Sequence, residues 1–363
     1  MISEKVLSSY QSNGYVIIKN FLSDEKINDL TSNYNTLRKR LARKASIKFE
    51  DYENEIFQIR DLWKFNESFK NLILEMEISQ LAPLFFTNDS CRLLHDHVIN
   101  KPLGRNGIIP WHQDYTYWPV DNSNGLSFWL PFNDLDAYSG VLEVISGSHL
   151  WGEERPMDFM NDNKSFDENR TEKLAVNKGD LVILHSLTWH RTTENTSIDE
   201  RIAYITLWIP TDSKYTPKHA SWHPVNDNIS VAEGEILNDD WFPIIGDKIS
   251  SNNQVEYRNN DHTEDMSMIT MFNASKIARN FLTKELQFEG NIWGHLYNTD
   301  NRQDAVNVLT QKYSLDCREK SVLDDILLSM AINGLAYQDH RARNVYNESY
   351  LKFKSLFGND LQS

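Results

Sequence analysis

Cysteine is almost missing from this chain: Cys91 and Cys317 are the only two in 363 residues. A disulfide framework and a cysteine-based zinc site are thereby excluded. Long apolar runs are missing as well. None approaches the roughly 20 residues that cross a bilayer, and the opening Met1-Ile2-Ser3-Glu4-Lys5 lacks the apolar core of a secretory signal. Cations are in deficit, 37 Lys and Arg against 52 Asp and Glu, for a formal charge of −15. That balance argues against a nucleic-acid backbone or an anionic membrane as partner. Internal repeats and low-complexity segments are also absent. What remains is the expectation of a soluble, cytoplasmic protein, monomeric or homodimeric.

What is present is a substantial core, with 40% hydrophobic and 12% aromatic residues. Residues 4–12 read as a short helix and 15–19 as a strand. After Ser23, a good N-cap, Ile27, Leu30, Tyr34, Leu37 and Leu41 alternate in steps of three and four, the apolar face of a helix. The cations at its end, Arg38, Lys39, Arg40, Arg43 and Lys44, suit a helix C-terminus. Residues 65–86 look helical again. From Cys91 the texture changes to short apolar runs at 93–100, 126–132, 140–145, 181–184 and 202–210, which predicts antiparallel sheet. The polar stretch 152–178 reads as a long loop, a plausible lid. Residues 211–262 are irregular, and 273–357 are helical again, with stripes at Ala278, Phe281, Leu282 and at Leu323, Ile326, Leu327, Met330, Leu335. The expected organisation is a β-core domain over 1–212 with N-terminal helices, and a largely helical extension over 213–363.

The chemistry centres on Trp111-His112-Gln113-Asp114. On a strand, His112 and Asp114 would point to one side. One further histidine would complete a 2-His-1-carboxylate facial triad suited to Fe(II). By itself the pair is weak, since two His-x-acid pairs occur, about as many as chance supplies, the other being His262 and Glu264 in an acidic loop. The candidate third ligand is His190, just past the apolar run 181–184. His185, on that run, is expected to be a hydrogen-bonded core histidine. Arg201, eleven residues after His190, opens the last strand, where a guanidinium could clamp a carboxylate.

At these residues the chain resembles the phytanoyl-CoA dioxygenase family of Fe(II)/2-oxoglutarate oxygenases. Ile99-Asn100-Lys101-Pro102, then Trp111-His112-Gln113-Asp114, Trp129, the block from Ser139 to His149, and His190 with Arg201 follow in the family's order across roughly residues 10–210. The block carries Ser139 and Ser146 where the family has Asn and Pro. The resemblance implies a double-stranded β-helix (jelly roll), iron bound by His112, Asp114 and His190, and 2-oxoglutarate and O₂ as cosubstrates. It implies that Arg201, assisted by Thr192, pairs with the distal carboxylate of 2-oxoglutarate, and that Gln113, Trp129 and His97 line its pocket. His97 stands where the family often has an apolar residue, and Gln58 roughly where some members use lysine. Substrate contacts are expected from Tyr115, Tyr117, Trp118 and Arg105. His95 with His97 reads as a pocket-lining pair, and His149 as structural.

The implied activity is hydroxylation of a small organic molecule with release of succinate and CO₂. Related halogenases replace the triad carboxylate with a small residue, so Asp114 favours hydroxylation over halogenation, with desaturation, epoxidation and ring closure left open. No basic cluster calls for a coenzyme A group. The alternatives are a Zn²⁺- or Mn²⁺-dependent hydrolase or isomerase on the same barrel, and a non-catalytic binding protein that kept the pocket.

Overall fold

The computed structural model describes residues 3–44, 48–49, 57–64, 66–75, 77–87, 89–101, 108–136, 138–154, 166–217, 220, 223–246, 266–288, 290–335 and 340–362. Helix α1 (Glu4–Asn13) stops where Gly14 turns left-handed (φ 75°) and its N–H caps the Tyr10 carbonyl at 2.8 Å. A Cβ on Gly14 would lie 2.4 Å from His149 Nδ1 and 2.5 Å from Thr188 Oγ1, so no side chain fits there. Strand β1 (Tyr15–Ile18) follows, then α2 (Asp24–Lys44). Ser23 Oγ accepts from the Lys26 N–H at 3.3 Å, and Ile27, Leu30, Tyr34, Leu37 and Leu41 are all buried, as their spacing predicts. Arg38 is more than a helix-end cation. It is buried and grips Glu200 with two bonds of 2.9 and 3.0 Å.

Strand β2 (Phe57–Arg60), α3 (Glu67–Leu74) and α4 (Glu77–Leu81) lead to the long β3 (Ser90–Lys101). Asn66 caps α3 by accepting from the N–H groups of Ser68 and Phe69. The remaining strands are β4 (Ile109–His112), β5 (Leu126–Pro131), β6 (Leu142–Ile145), β7 (Thr171–Lys173), β8 (Leu181–His185), β9 (His190–Thr192), β10 (Arg201–Ile209) and β11 (Ile244–Gly246). One sheet runs β1-β8-β5-β10-β3-β11 with β2 also on β3, and the other β4-β9-β6-β7. Every pairing is antiparallel. The architecture is a double-stranded β-helix with N-terminal helices, as expected.

Two features depart from the sequence reading. Within 152–178, expected as loop, residues 171–173 form an edge strand on β6, and residues 155–165 lie outside the described residues. Strand β11, from the stretch expected in the helical extension, joins the first sheet, with Ile244, Ile245 and Gly246 opposite Arg92, Cys91 and Ser90.

Register fixes which side chains share the inner face. Across β5, β10, β3 and β2, Trp129 lies opposite Ile205, Ile205 opposite His97, and His97 opposite Arg60. One step along, Ser127 faces Leu207 and Leu207 faces His95; at the far end Arg201 faces Lys101.

The second unit is helical: α5 (Met266–Leu286), α6 (Ile292–Tyr297), α7 (Thr299–Tyr313), α8 (Cys317–Leu335) and α9 (His340–Phe357). The predicted stripes meet in its core, where Phe281, Leu282, Leu323, Leu327 and Met330 pack with Tyr346, Phe353 and Phe357. Arg302, buried, is held by Asp324 at 2.9 Å and by the carbonyl of Leu296. No described helix is long and apolar enough to cross a membrane.

Candidate active site

Strand β4 delivers the first functional side chain. Its pairing with β9 slips between Ile109 and His112, which sets His112 directly opposite His190. The two imidazoles stand 4.1 Å apart, centroid to centroid. Each Nδ1 donates to a carbonyl two residues earlier, His112 to Pro110 at 2.8 Å and His190 to Thr188 at 2.9 Å. These bonds fix the tautomer and leave each Nε2 with its lone pair inward.

Strand alternation predicts that His112 and Asp114 share a side. They do, by another route: β4 ends at His112, Gln113 stays extended (φ −113°, ψ 132°), and Asp114 opens a 3-10 turn, Asp114–Tyr117. Asp114 Oδ1 lies 3.4 Å from His112 Nε2 and 3.5 Å from His190 Nε2. Its other oxygen, Oδ2, accepts the hydroxyl of Ser127. Burial works against the ionised carboxyl, but the two histidines and these hydrogen bonds outweigh it and hold Asp114 well below the usual carboxylate range. Burial, followed by the neighbouring His112, brings His190 down to about 4.

Three ligand atoms thus converge within 4.8 Å of one another. With both Nδ1 atoms donating outward, the convergent atoms are all acceptors, and lone pairs facing lone pairs repel unless a cation lies between them. Two imidazole nitrogens and one carboxylate oxygen on one side form the donor set of a non-haem Fe(II) site with open positions. The residues fit that metal.

At the other end of the barrel the imbalance is reversed. Arg201 is 1% exposed, and among the described residues Nε, Nη1 and Nη2 have no hydrogen-bond partner. Its guanidinium stands 5.6 Å over the Trp129 ring. Burial pulls its pKa down to about 9. A buried guanidinium with no counter-ion costs several kcal/mol, so this pocket suits an anion. Lys101, opposite Arg201 on β3, donates from Nζ to Thr192 Oγ1 on β9 at 2.6 Å.

The other expected site residues sort themselves by geometry. His97 is buried on the inner face with Nδ1 unpartnered, and burial, then the Arg60 charge, pushes it down to about 3. The ring of Tyr117 lies 6.1 Å from that of His112. Trp118 is 2% exposed and packs where a Cβ on Gly125 would meet its ring at 2.5 Å, a core position. Tyr115 is buried, and burial raises its hydroxyl to about 12. Gln113 spends its whole amide on backbone: Nε2 donates to Gly152 and Leu187 carbonyls at 2.9 and 2.8 Å, and Oε1 accepts from the Glu154 N–H at 2.9 Å. It ties the segment after β6 to the metal turn. Arg105 lies outside the described residues. His185, opposite Leu126, faces away from the row that holds Ser127 and takes a hydrogen bond from the Leu187 N–H, beside His149. Three inner-face residues escaped sequence reasoning as site members: Ser127, Lys101 and Arg60, the last 3.1 Å from His95 Nε2. Their only signal is register, which needs the strands paired.

Comparison with known proteins agrees with this geometry. The family model of phytanoyl-CoA dioxygenase (PhyH) matches residues 10–203. Bovine peroxisomal phytanoyl-CoA dioxygenase is 26% identical over 214 residues, 52% of this chain and 63% of that protein. Its mouse counterpart is 27% identical over 212 residues, 51% and 62% of the two chains. The chain therefore spans somewhat under two thirds of the length of these relatives. Among solved structures, the non-haem α-ketoglutarate-dependent carbocyclase SnoK from nogalamycin biosynthesis aligns with a TM-score of 0.53 at 21% identity, over 67% of this chain and 96% of that one. The epimerase SnoN, solved with Fe³⁺, α-ketoglutarate and nogalamycin RO, aligns with a TM-score of 0.54 at 18% identity, over 66% and 97%. These two share the fold.

Proposed function

This chain belongs to the phytanoyl-CoA dioxygenase family, and on that premise we propose that it is a non-haem Fe(II)- and 2-oxoglutarate-dependent oxygenase that hydroxylates a small organic molecule. One observation carries the reading: a single barrel holds three converging acceptors at one end and a buried, unpartnered guanidinium at the other. 2-Oxoglutarate has a metal-chelating oxo acid at one end and a free carboxylate at the other, which suits that polarity.

His112, His190 and Asp114 would hold the metal. Ser127 donates to Asp114 Oδ2, which would leave Oδ1 as the carboxylate's ligand atom. When bound, iron and 2-oxoglutarate together activate O₂ for oxidation of a substrate C–H bond, with succinate and CO₂ released. Arg201 and Thr192 orient the cosubstrate by its far carboxylate over Trp129. Ile205, Leu207 and neutral His97 supply a wall that excludes water. Tyr117, beside His112, faces the substrate. Asp114 occupies the place a halide would need, so the outcome is hydroxylation and not halogenation.

The test is succinate release from 2-oxoglutarate with Fe(II) and O₂. Slow release without added substrate is expected from the wild type and none from His112→Ala. No release from the wild type, with tight Zn²⁺ or Mn²⁺ binding instead, would turn the reading to a metal-dependent hydrolase or isomerase.

A further inference from the structure

Lys101 ends β3 directly opposite Arg201 and is 1% exposed. Its Nζ donates to Thr192 Oγ1 and to the Thr193 carbonyl, each at 2.6 Å. The approach needs a glycine across from it: a Cβ on Gly140 (φ +66°) would lie 2.9 Å from the Thr193 carbonyl oxygen and 3.3 Å from Lys101 Cδ. The backbone is held too. The fully buried Asn195 amide donates to the Lys101 carbonyl at 3.1 Å and to the Asp199 carbonyl at 2.8 Å, tying the end of β3 to the turn before β10.

Neither Lys101 nor Arg201 has a carboxylate partner among the described residues. Burial, and after it the Arg201 charge, depresses Lys101 to about 5. Two buried donors side by side with no acidic partner are costly unless an acceptor meets them. Hydroxyl geometry supplies a reason for the arrangement. A threonine hydroxyl has one proton to give and lone pairs to receive. Lys101 engages the oxygen as acceptor, which leaves the Thr192 O–H free to donate, and no described residue accepts it.

We propose that Lys101 is a positioning residue that turns the Thr192 hydroxyl into a donor to the distal carboxylate of 2-oxoglutarate. The inference rests on the 2-oxoglutarate reading above. Lys101 acts through Thr192, and Arg201 makes the direct ion pair.

The test is anaerobic titration of the full-length Fe(II) protein with 2-oxoglutarate and, separately, with 2-oxobutyrate, which lacks the distal carboxylate. Lys101→Met and Thr192→Val should each raise the Kd for 2-oxoglutarate about tenfold, as loss of a charge-linked hydrogen bond does. The double variant should bind no worse than about the weaker single one, because both remove the same donor. All four proteins should bind 2-oxobutyrate and Fe(II) alike. Lys101→Gln, which keeps one donor, should fall between. Wild-type affinity for 2-oxoglutarate in Lys101→Met would overturn the inference while leaving the 2-oxoglutarate reading intact. Additive losses in the double variant would overturn it too, as would failure of both lysine variants to fold, which would make Lys101 structural. A wild type that binds no 2-oxoglutarate would overturn both readings.

Discussion

The two ends of this barrel are unbalanced in opposite senses. At the β4–β9 end every outward polar atom is satisfied: both imidazole Nδ1 atoms reach carbonyls and Asp114 Oδ2 takes the Ser127 hydroxyl. The atoms that converge, His112 Nε2, His190 Nε2 and Asp114 Oδ1, are all acceptors. Where β3 and β10 meet, the side chains are donors: the Arg201 nitrogens lack a partner among the described residues, and Lys101 Nζ donates to Thr192 Oγ1. The contrast underlies the proposal that the barrel takes a cation at His112, Asp114 and His190 and an anion at Arg201. Each end should be separable by mutation.

The largest effect is expected from breaking the acceptor end. Asp114→Ala should weaken Fe(II) binding by at least about 100-fold, since loss of a direct ligand exceeds the roughly 10–100-fold cost of losing an outer partner. Calorimetric titration with Fe(II) under nitrogen measures it, and unchanged affinity would contradict the assignment.

Breaking the donor end should leave the metal alone. Arg201→Met is expected to raise the Kd for 2-oxoglutarate about 100-fold, as removal of a bidentate buried pair does. It should also stabilise the ligand-free chain by about 1–4 kcal/mol, the gain seen when buried charge gives way to apolar packing. Denaturant melts and binding isotherms read the two arms, which should move in opposite directions.

A third prediction concerns histidines outside the two ends. His185 accepts from the Leu187 N–H and is held down to about 4, by burial first and by His149 second. Its folded pKa lies below the ordinary histidine value of about 6.5, so the folded chain binds fewer protons than the unfolded one. Its contribution is full above about pH 6.5 and is lost as the pH falls towards 4, by roughly 2–3 kcal/mol. His185→Phe should flatten that limb of a stability–pH curve while Fe(II) affinity at pH 7 stays the same.

The smallest effect sharpens the acceptor end. Ser127→Ala frees Asp114 Oδ2 and should lower Fe(II) affinity about tenfold, the usual cost of an outer-shell partner. A Ser127→Ala protein that binds Fe(II) as the wild type does would show that the hydroxyl does not orient the carboxylate.

Much of this was legible in sequence where periodicity was long. The face of α2 from Ile27 to Leu41 is buried as its spacing demands, and the C-terminal stripes meet in one core. Strands of three or four residues were not legible: β2, β7 and β11 are too short to show a period, and Thr171-Glu172-Lys173 is polar because it is an edge. Strand β3 shows no alternation because both of its faces are covered. His95 and His97 point inward, while Asp96 points outward and accepts from the Tyr204 hydroxyl at 2.6 Å and the Trp63 N–H at 3.1 Å. His112, Asp114 and His190, picked out by spacing together with family resemblance, converge within 4.8 Å, and Arg201, picked out in the same way, is buried. Ser127 and Lys101 were not picked out, because each meets its partner only across paired strands.

The most direct test of the central claim is anaerobic addition of Fe(II) and then 2-oxoglutarate to the metal-free protein, watching for the visible charge-transfer band of the chelate. The account predicts a band in the wild type, its loss in His112→Ala, and in Arg201→Met a band that saturates only at about 100-fold higher 2-oxoglutarate. A wild type with bound Fe(II) and no band at saturating 2-oxoglutarate, or an Arg201→Met protein that saturates as the wild type does, would contradict it.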